Sequence, residues 1–178
     1  MKNITDYIIS FNNVLDKKIC NEIIEKSNFD TFTSATVGDD KVIKDYRKCY
    51  QKKLDDKFND NIYEVIGTIL KKYKDIHSSF TTGLTTEDTG YIHLLYKGDQ
   101  KGEYKEHVDH ADQFPRVLSC SIILNDDYDG GNFAFFNKEY IVEKKAGSVV
   151  VFPSNFCFPH SITPVSKGDR HSIITWIG

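Results

Sequence analysis

Apolar positions recur with two different periods along this chain, and the change falls near residue 89. In the first half the pattern is mixed. Residues 7–14 form a short apolar run that predicts a strand. Residues 16–27 read as a helix, with Ile19, Ile23 and Ile24 on one stripe and Asp16 as its N-cap. Residues 30–44 are rich in Thr, Ser, Asp and Gly and predict loop or irregular strand. Residues 55–73 carry the strongest helical pattern, because Phe58, Ile62, Val65, Ile66, Ile69, Leu70 and Tyr73 recur on one face. Residues 78–88 are polar.

From residue 89 onward the period shortens to that of strands. The pattern predicts them at 90–96, 104–109, 117–124, 132–136, 147–152, 160–163 and 170–177. Turn residues punctuate the series, including Lys97-Gly98-Asp99, Asp129-Gly130-Gly131-Asn132 and Lys167-Gly168-Asp169. Many short strands at this spacing predict a sandwich or barrel, with the two N-terminal helices buttressing one sheet. The chain therefore reads as one domain over residues 1–178, with a support region at 1–88 and a β core at 89–178.

Composition narrows the function classes. Hydrophobic residues are 39% and charged residues 28% of the 178, a globular balance. The net charge of -3 gives no electrostatic reason to expect a nucleic acid or an anionic membrane as partner. No apolar stretch reaches the length of a membrane helix, and residues 1–13, with Asp6 beside their short apolar run, do not read as a signal peptide. Cys20, Cys49, Cys120 and Cys157 are widely spaced and form no CxxC pair, which predicts reduced thiols and a cytoplasmic location.

His107-Val108-Asp109 is the first triplet with chemistry in it. Residues i and i+2 of a strand share a face, so an imidazole and a carboxylate would project together. These are two ligands of a 2-His-1-carboxylate triad, which leaves open positions on iron(II). Of the six histidines, His160 is the candidate third ligand, because it opens an alternating run after Phe158-Pro159. His77 lies in a polar segment, alternation turns His110 away from the pair, and His93 and His171 sit within strands.

Ten residues after His160 comes Arg170. Alternation puts Arg170, Ser172, Ile174 and Trp176 on one face of the last strand. An arginine on the inner face of a barrel is costly unless it meets an anion. 2-Oxoglutarate supplies one: its far carboxylate suits the guanidinium fork while its other end chelates the metal. The alternative is a surface Arg170 paired with an Asp.

Taken in order, these segments resemble a family. They are Tyr96-Lys97-Gly98 before Gly102 to Asp109, Arg116-Val117-Leu118-Ser119 with Leu124-Asn125, Tyr128-Asp129-Gly130-Gly131, Gly147 to Pro153, and His160 to Arg170 with Trp176. The stretch from Tyr91 to Trp176 looks like the catalytic domain of the prolyl 4-hydroxylase-like 2-oxoglutarate/iron(II) dioxygenases, closest to their bacterial and phage-type branch. The resemblance implies a double-stranded β-helix, or jelly-roll barrel. It implies hydroxylation of an unactivated carbon, by default a peptidyl proline, with dioxygen consumed and 2-oxoglutarate leaving as succinate and carbon dioxide. It implies His107, Asp109 and His160 as catalytic metal ligands, Arg170 and Tyr96 on the cosubstrate, Trp176 lining the pocket, and ascorbate as an accessory cofactor. Tyr104 reads as ordinary core packing. Animal and algal relatives carry a tyrosine two residues before the Asn of the Leu-Asn pair, where it helps hold the far carboxylate; here that residue is Ile123. Ser119 and Ser121 share its face and are the expected replacement donors. A free amino acid, another side chain or a small metabolite remains open as substrate, as does a non-catalytic binding module with this fold. Substrate choice is expected in the loops at 30–44 and 77–88.

Overall fold

The protein is described by a computed structural model covering residues 2–38, 41–78, 81, 84–85, 87–110 and 116–178. In chain order its strands are β1 (Ile9–Phe11), β2 (Thr33–Ser34), β3 (Arg47–Lys48), β4 (Tyr50–Lys53), β5 (Ile92–Lys97), β6 (Glu103–His107), β7 (Leu118–Ile123), β8 (Asp129–Gly130), β9 (Phe133–Phe135), β10 (Tyr140–Ile141), β11 (Ser148–Pro153), β12 (His160–Ile162), β13 (Val165–Lys167) and β14 (Asp169–Ile177). Two α-helices, α1 (Lys17–Glu25) and α2 (Asn59–Ile76), lie in the N-terminal part. The strands form a seven-stranded sheet in the order β1-β11-β7-β14-β5-β4-β2 and a five-stranded sheet in the order β10-β9-β12-β6-β3. β8 and β13 make a small third pair. Every pairing is antiparallel.

The helices form where the pattern places them. The Asp16 side chain accepts the Lys18 N–H at 2.8 Å and starts α1. α2 buries Ile62, Ile66, Ile69, Leu70 and Tyr73. Its first predicted turn is instead a separate 3₁₀ turn, Asp56–Phe58.

Strand β7 separates two cores. Leu118, Cys120 and Ile122 pack against the helices, together with Val149, Val151 and Ile173. Ile123 joins the second core, between the sheets, with Leu94, Tyr96, Phe133, Phe135 and Phe152. The register aligns Arg170 with Tyr96, Ile174 with Ser121 and Trp176 with Ser119. Arg170, Ser172, Ile174 and Trp176 thus share the inner face, as alternation predicts.

Several strands are not in the sequence pattern. β3 and β4 read Arg-Lys and Tyr-Gln-Lys-Lys, polar pairs and runs with no alternation to detect. β8, β10 and β13 have two or three residues each, too few to carry a period. β6 stops at His107, two residues before the predicted end, which changes how Asp109 reaches the site. Residues 39, 40, 79, 80, 82, 83 and 86, within the two predicted specificity loops, lie outside the described residues.

Candidate active site

His107 ends β6 and His160 opens β12, and the two residues are paired across these neighbouring strands. Their rings lie 4.3 Å apart between centroids. Each Nδ1 meets a backbone carbonyl two residues earlier in the chain: Lys105 at 2.8 Å and Phe158 at 3.0 Å. A ring that donates its Nδ1–H in this way keeps the Nε2 lone pair free, and both Nε2 atoms turn to Asp109. They stand 3.8 Å and 3.5 Å from its carboxylate oxygens.

Asp109 arrives by a route other than simple alternation. The chain leaves β6 after His107, and the carboxylate is anchored on the opposite sheet, where the Ser119 hydroxyl donates to Oδ2 at 2.6 Å. Ser119 also meets the Ser154 hydroxyl at 2.8 Å. Arg116 Nη1 donates to the Asp109 backbone carbonyl at 3.1 Å. The three ligand atoms of His107, Asp109 and His160 lie within 4.8 Å of one another, and among the described residues they are the one such group.

The electrostatics suit a metal. Burial, then the neighbouring His160, pushes the His107 imidazole down, so it is neutral at pH 7. Burial opposes the charge on Asp109, but His160, His107 and the Ser119 hydroxyl outweigh it and hold the carboxyl below its ordinary value. Two imidazoles and one carboxylate are the donor set that iron(II) takes with positions left open.

The triad borders a cavity of about 860 Å³. Tyr96, Ser121, Arg170, Ser172 and Trp176 line it. Arg170 is only 2% exposed. Its Nη1 donates to Ser172 Oγ at 2.9 Å, its Nε has no partner, and its guanidinium lies 5.1 Å from the Tyr96 ring centre. No carboxylate pairs with it among the described residues, so the buried charge lacks the anion it needs. The expectation of a surface Asp pairing is not what the structure shows: Asp169 accepts the Gly98 N–H at 3.0 Å instead.

Of the two serines expected as cosubstrate donors, Ser119 is used elsewhere and Ser121 is placed as expected. Ser119 is fully buried and spent on Asp109. Ser121 does line the cavity. The hydroxyls that meet Arg170 are those of Ser172, which accepts from Nη1, and Tyr128, whose oxygen faces the guanidinium as an acceptor; burial raises the Tyr128 pKa despite that contact. Tyr128 is brought there by Gly130 and Gly131, both at positive φ. A Cβ on Gly131 would come within 2.9 Å of the Tyr128 ring.

Other sequence readings also move. Tyr104 lines the cavity and stacks on the His107 ring at 3.5 Å, so it is not simple core packing. His110 lines the cavity too but stands outside the ligand group. Asp169 stands two residues before His171, a second His/Asp pair at strand spacing. It forms no metal group, because His171 Nδ1 faces His93 Nε2 at 3.0 Å. Of the two predicted specificity loops, 30–44 supplies Thr36, Val37 and Gly38 to the cavity wall; no described residue of 77–88 does. Arg47, a cavity residue, escaped the sequence reading: its role depends on the pairing of β3 with β6, 57 residues on, as Arg47 pairs with Tyr104.

Residues 92–178 match the profile of the 2OG-Fe(II) oxygenase superfamily. This span is a 2OG-Fe(II) oxygenase domain. The superfamily's cofactors, iron(II) and 2-oxoglutarate, are those the donor set and the buried Arg170 suit. A PKHD-type hydroxylase of Alteromonas mediterranea is 35% identical over 86 residues, which span 42% of this chain and 37% of that relative. The chain thus covers well under half the length of this curated relative. Two solved structures share the architecture. A Pseudomonas putida prolyl-4-hydroxylase superposes with a TM-score of 0.75 at 20% identity, covering 98% of this chain and 96% of the other. A prolyl hydroxylase from Trichoplax adhaerens, in complex with a peptide fragment of hypoxia inducible factor, gives 0.77 at 17% identity, covering 97% and 84%. The jelly-roll expectation, two helices buttressing a double-stranded β-helix, is borne out. Among the described residues no helix is long and apolar enough to cross a membrane.

Proposed function

We propose that this chain is an iron(II)- and 2-oxoglutarate-dependent oxygenase that hydroxylates an unactivated carbon, with a peptidyl proline as the first substrate to test. The observation that carries the reading is one cavity with the His107/Asp109/His160 triad at its wall and an unpaired, buried Arg170 in it. The bound metal and cosubstrate would supply the oxidising chemistry: dioxygen and 2-oxoglutarate are consumed, one oxygen atom becomes the new hydroxyl, and succinate and carbon dioxide leave. His107, Asp109 and His160 would hold the metal. Arg170, oriented by Ser172 and Tyr128, would bind the far carboxylate, with Tyr96 and Ser121 on the same wall. Trp176 would close the side near Asp109.

The peptide substrate is supported by the relative that binds a peptide fragment and by the open cavity. A free amino acid or small metabolite would use the same machinery. The four cysteines are free, which supports a reducing, cytoplasm-like compartment as part of this proposal. Incubation with iron(II), 2-oxoglutarate and oxygen should give succinate even without a prime substrate, at a slow uncoupled rate that a peptide panel should raise. No succinate under any of these conditions would leave the non-catalytic binding module as the better reading.

Two smaller effects follow from the hydrogen bonds. Ser119→Ala removes the donor that orients the metal-binding carboxylate, so metal affinity should fall roughly 10- to 100-fold with the fold intact, measured by metal titration. Tyr128→Phe removes only a hydroxyl, so 2-oxoglutarate affinity should drop about two- to tenfold, on the order of 0.5–1.5 kcal/mol, with metal affinity unchanged. Equal cosubstrate affinity in Tyr128→Phe and wild type would make Tyr128 a packing residue.

A further inference from the structure

Two more guanidinium groups face the cavity, and the reaction as read above uses neither. Arg47 lies 4.4 Å from the ring centre of Tyr104, which itself stacks on His107. Arg116 lies 3.7 Å from the ring centre of Trp176. Each spends one N–H on a backbone carbonyl, Arg47 on Thr36 at 2.7 Å and Arg116 on Asp109 at 3.1 Å. In each the Nε is buried with no partner, and neither forms an ion pair among the described residues. Stacking on an aromatic face holds a guanidinium in place but does not cancel its charge.

The charges in the cavity do not balance. Asp109 and one end of 2-oxoglutarate would offset the metal, and the other end would offset Arg170. Arg47 and Arg116 are left, and the remaining carboxylate on the wall, Glu106, is exposed and accepts the Asn137 N–H. A half-buried pair of cations beside a reaction centre favours an anion arriving with the substrate. We infer that the substrate carries a carboxylate close to the carbon that is hydroxylated, and that Arg47 and Arg116 select it. This rests on the metal and 2-oxoglutarate reading and deepens it. The carboxylate could belong to a free amino acid or to an acidic side chain beside a peptidyl target.

Trp176 is the one tryptophan of the chain, and Arg116 lies on its ring, so its fluorescence reports on this site. The protein would be loaded with manganese(II) and 2-oxoglutarate without oxygen. It would then be titrated with two matched pairs: L-proline against L-prolinamide, and a blocked Pro-Glu dipeptide against its Pro-Gln counterpart. In at least one pair the carboxylate member should bind about tenfold more tightly or better, as a charge-assisted hydrogen bond predicts. Preference in the first pair identifies a free amino acid, and in the second an acidic peptide. The preference should shrink below about threefold in the Arg47→Gln, Arg116→Gln double variant and largely return in the double Lys variant. Because the ratio is taken within a pair, a folding defect moves both members alike. Equal binding within both pairs, no response to either carboxylate, or a preference that survives the double Gln variant would each overturn the inference. Succinate formation by the same protein reloaded with iron(II) and 2-oxoglutarate and exposed to oxygen would show that the oxygenase reading stands without it.

Discussion

Replacing Asp109 with Ala should abolish turnover and lower metal affinity by more than about 100-fold, beyond what the loss of a supporting hydrogen bond costs. Asp109 is the one carboxylate of the ligand group and is 8% exposed, so no solvent-held acid stands ready to replace it. A second readout separates a ligand from a structural residue. His160, His107 and the Ser119 hydroxyl favour the Asp109 charge in the metal-free protein, so the volume-conserving Asp109→Asn should stay folded but melt somewhat earlier than wild type. The rise in melting temperature on adding metal should disappear, since binding stabilises only a protein that binds. His110→Ala and His171→Ala should keep that rise. If either loses it while folded and His160→Ala does not, the ligand set is wrong.

Arg170→Ala should weaken 2-oxoglutarate binding about 10- to 100-fold, the consequence of losing a charge-assisted hydrogen bond of roughly 1.5–3 kcal/mol. The environment argues for the upper part of that range. The guanidinium is buried, its Nε lacks a partner, and Ser172 and Tyr128 hold the group in one orientation. Arg170→Lys should do less harm, because the charge survives and only the planar fork is lost. Comparison with 2-oxobutyrate, which lacks the far carboxylate, isolates the contact. Wild type should prefer 2-oxoglutarate strongly, and Arg170→Ala should barely distinguish the two in direct titration. A preference that persists in Arg170→Ala would move the carboxylate site elsewhere, with Arg47 and Arg116 the next cations on the wall.

What the sequence made legible follows from which interactions are local. Helix α2 and strands β7 and β14 bury whole faces, so their periods are written in consecutive residues. The inner face of β14 could therefore be read directly, and Arg170 with it. His107 and His160 were legible because each sits at a strand end. The rest depends on contacts between distant segments. Alternation gave the right face for Ser119 but not its partner, since Asp109 reaches it only after the chain leaves β6. Tyr128 lies outside any strand, on a turn that two glycines at positive φ allow, so no period points it at Arg170. Arg47 sits on a two-residue strand whose sequence looks like an ordinary charged surface. Cavity residues of this kind come together only when the sheets close.

The proposed function requires one cavity to bind iron(II) and 2-oxoglutarate together. Anaerobic titration of the metal-free protein with iron(II), then 2-oxoglutarate, tests it without any prime substrate. A visible metal-to-ligand charge-transfer band should appear only with both present, saturate at one equivalent of each, vanish in Asp109→Ala, and need far more 2-oxoglutarate in Arg170→Ala. Absence of the band in folded wild-type protein, or an unchanged band in Asp109→Ala, would contradict it.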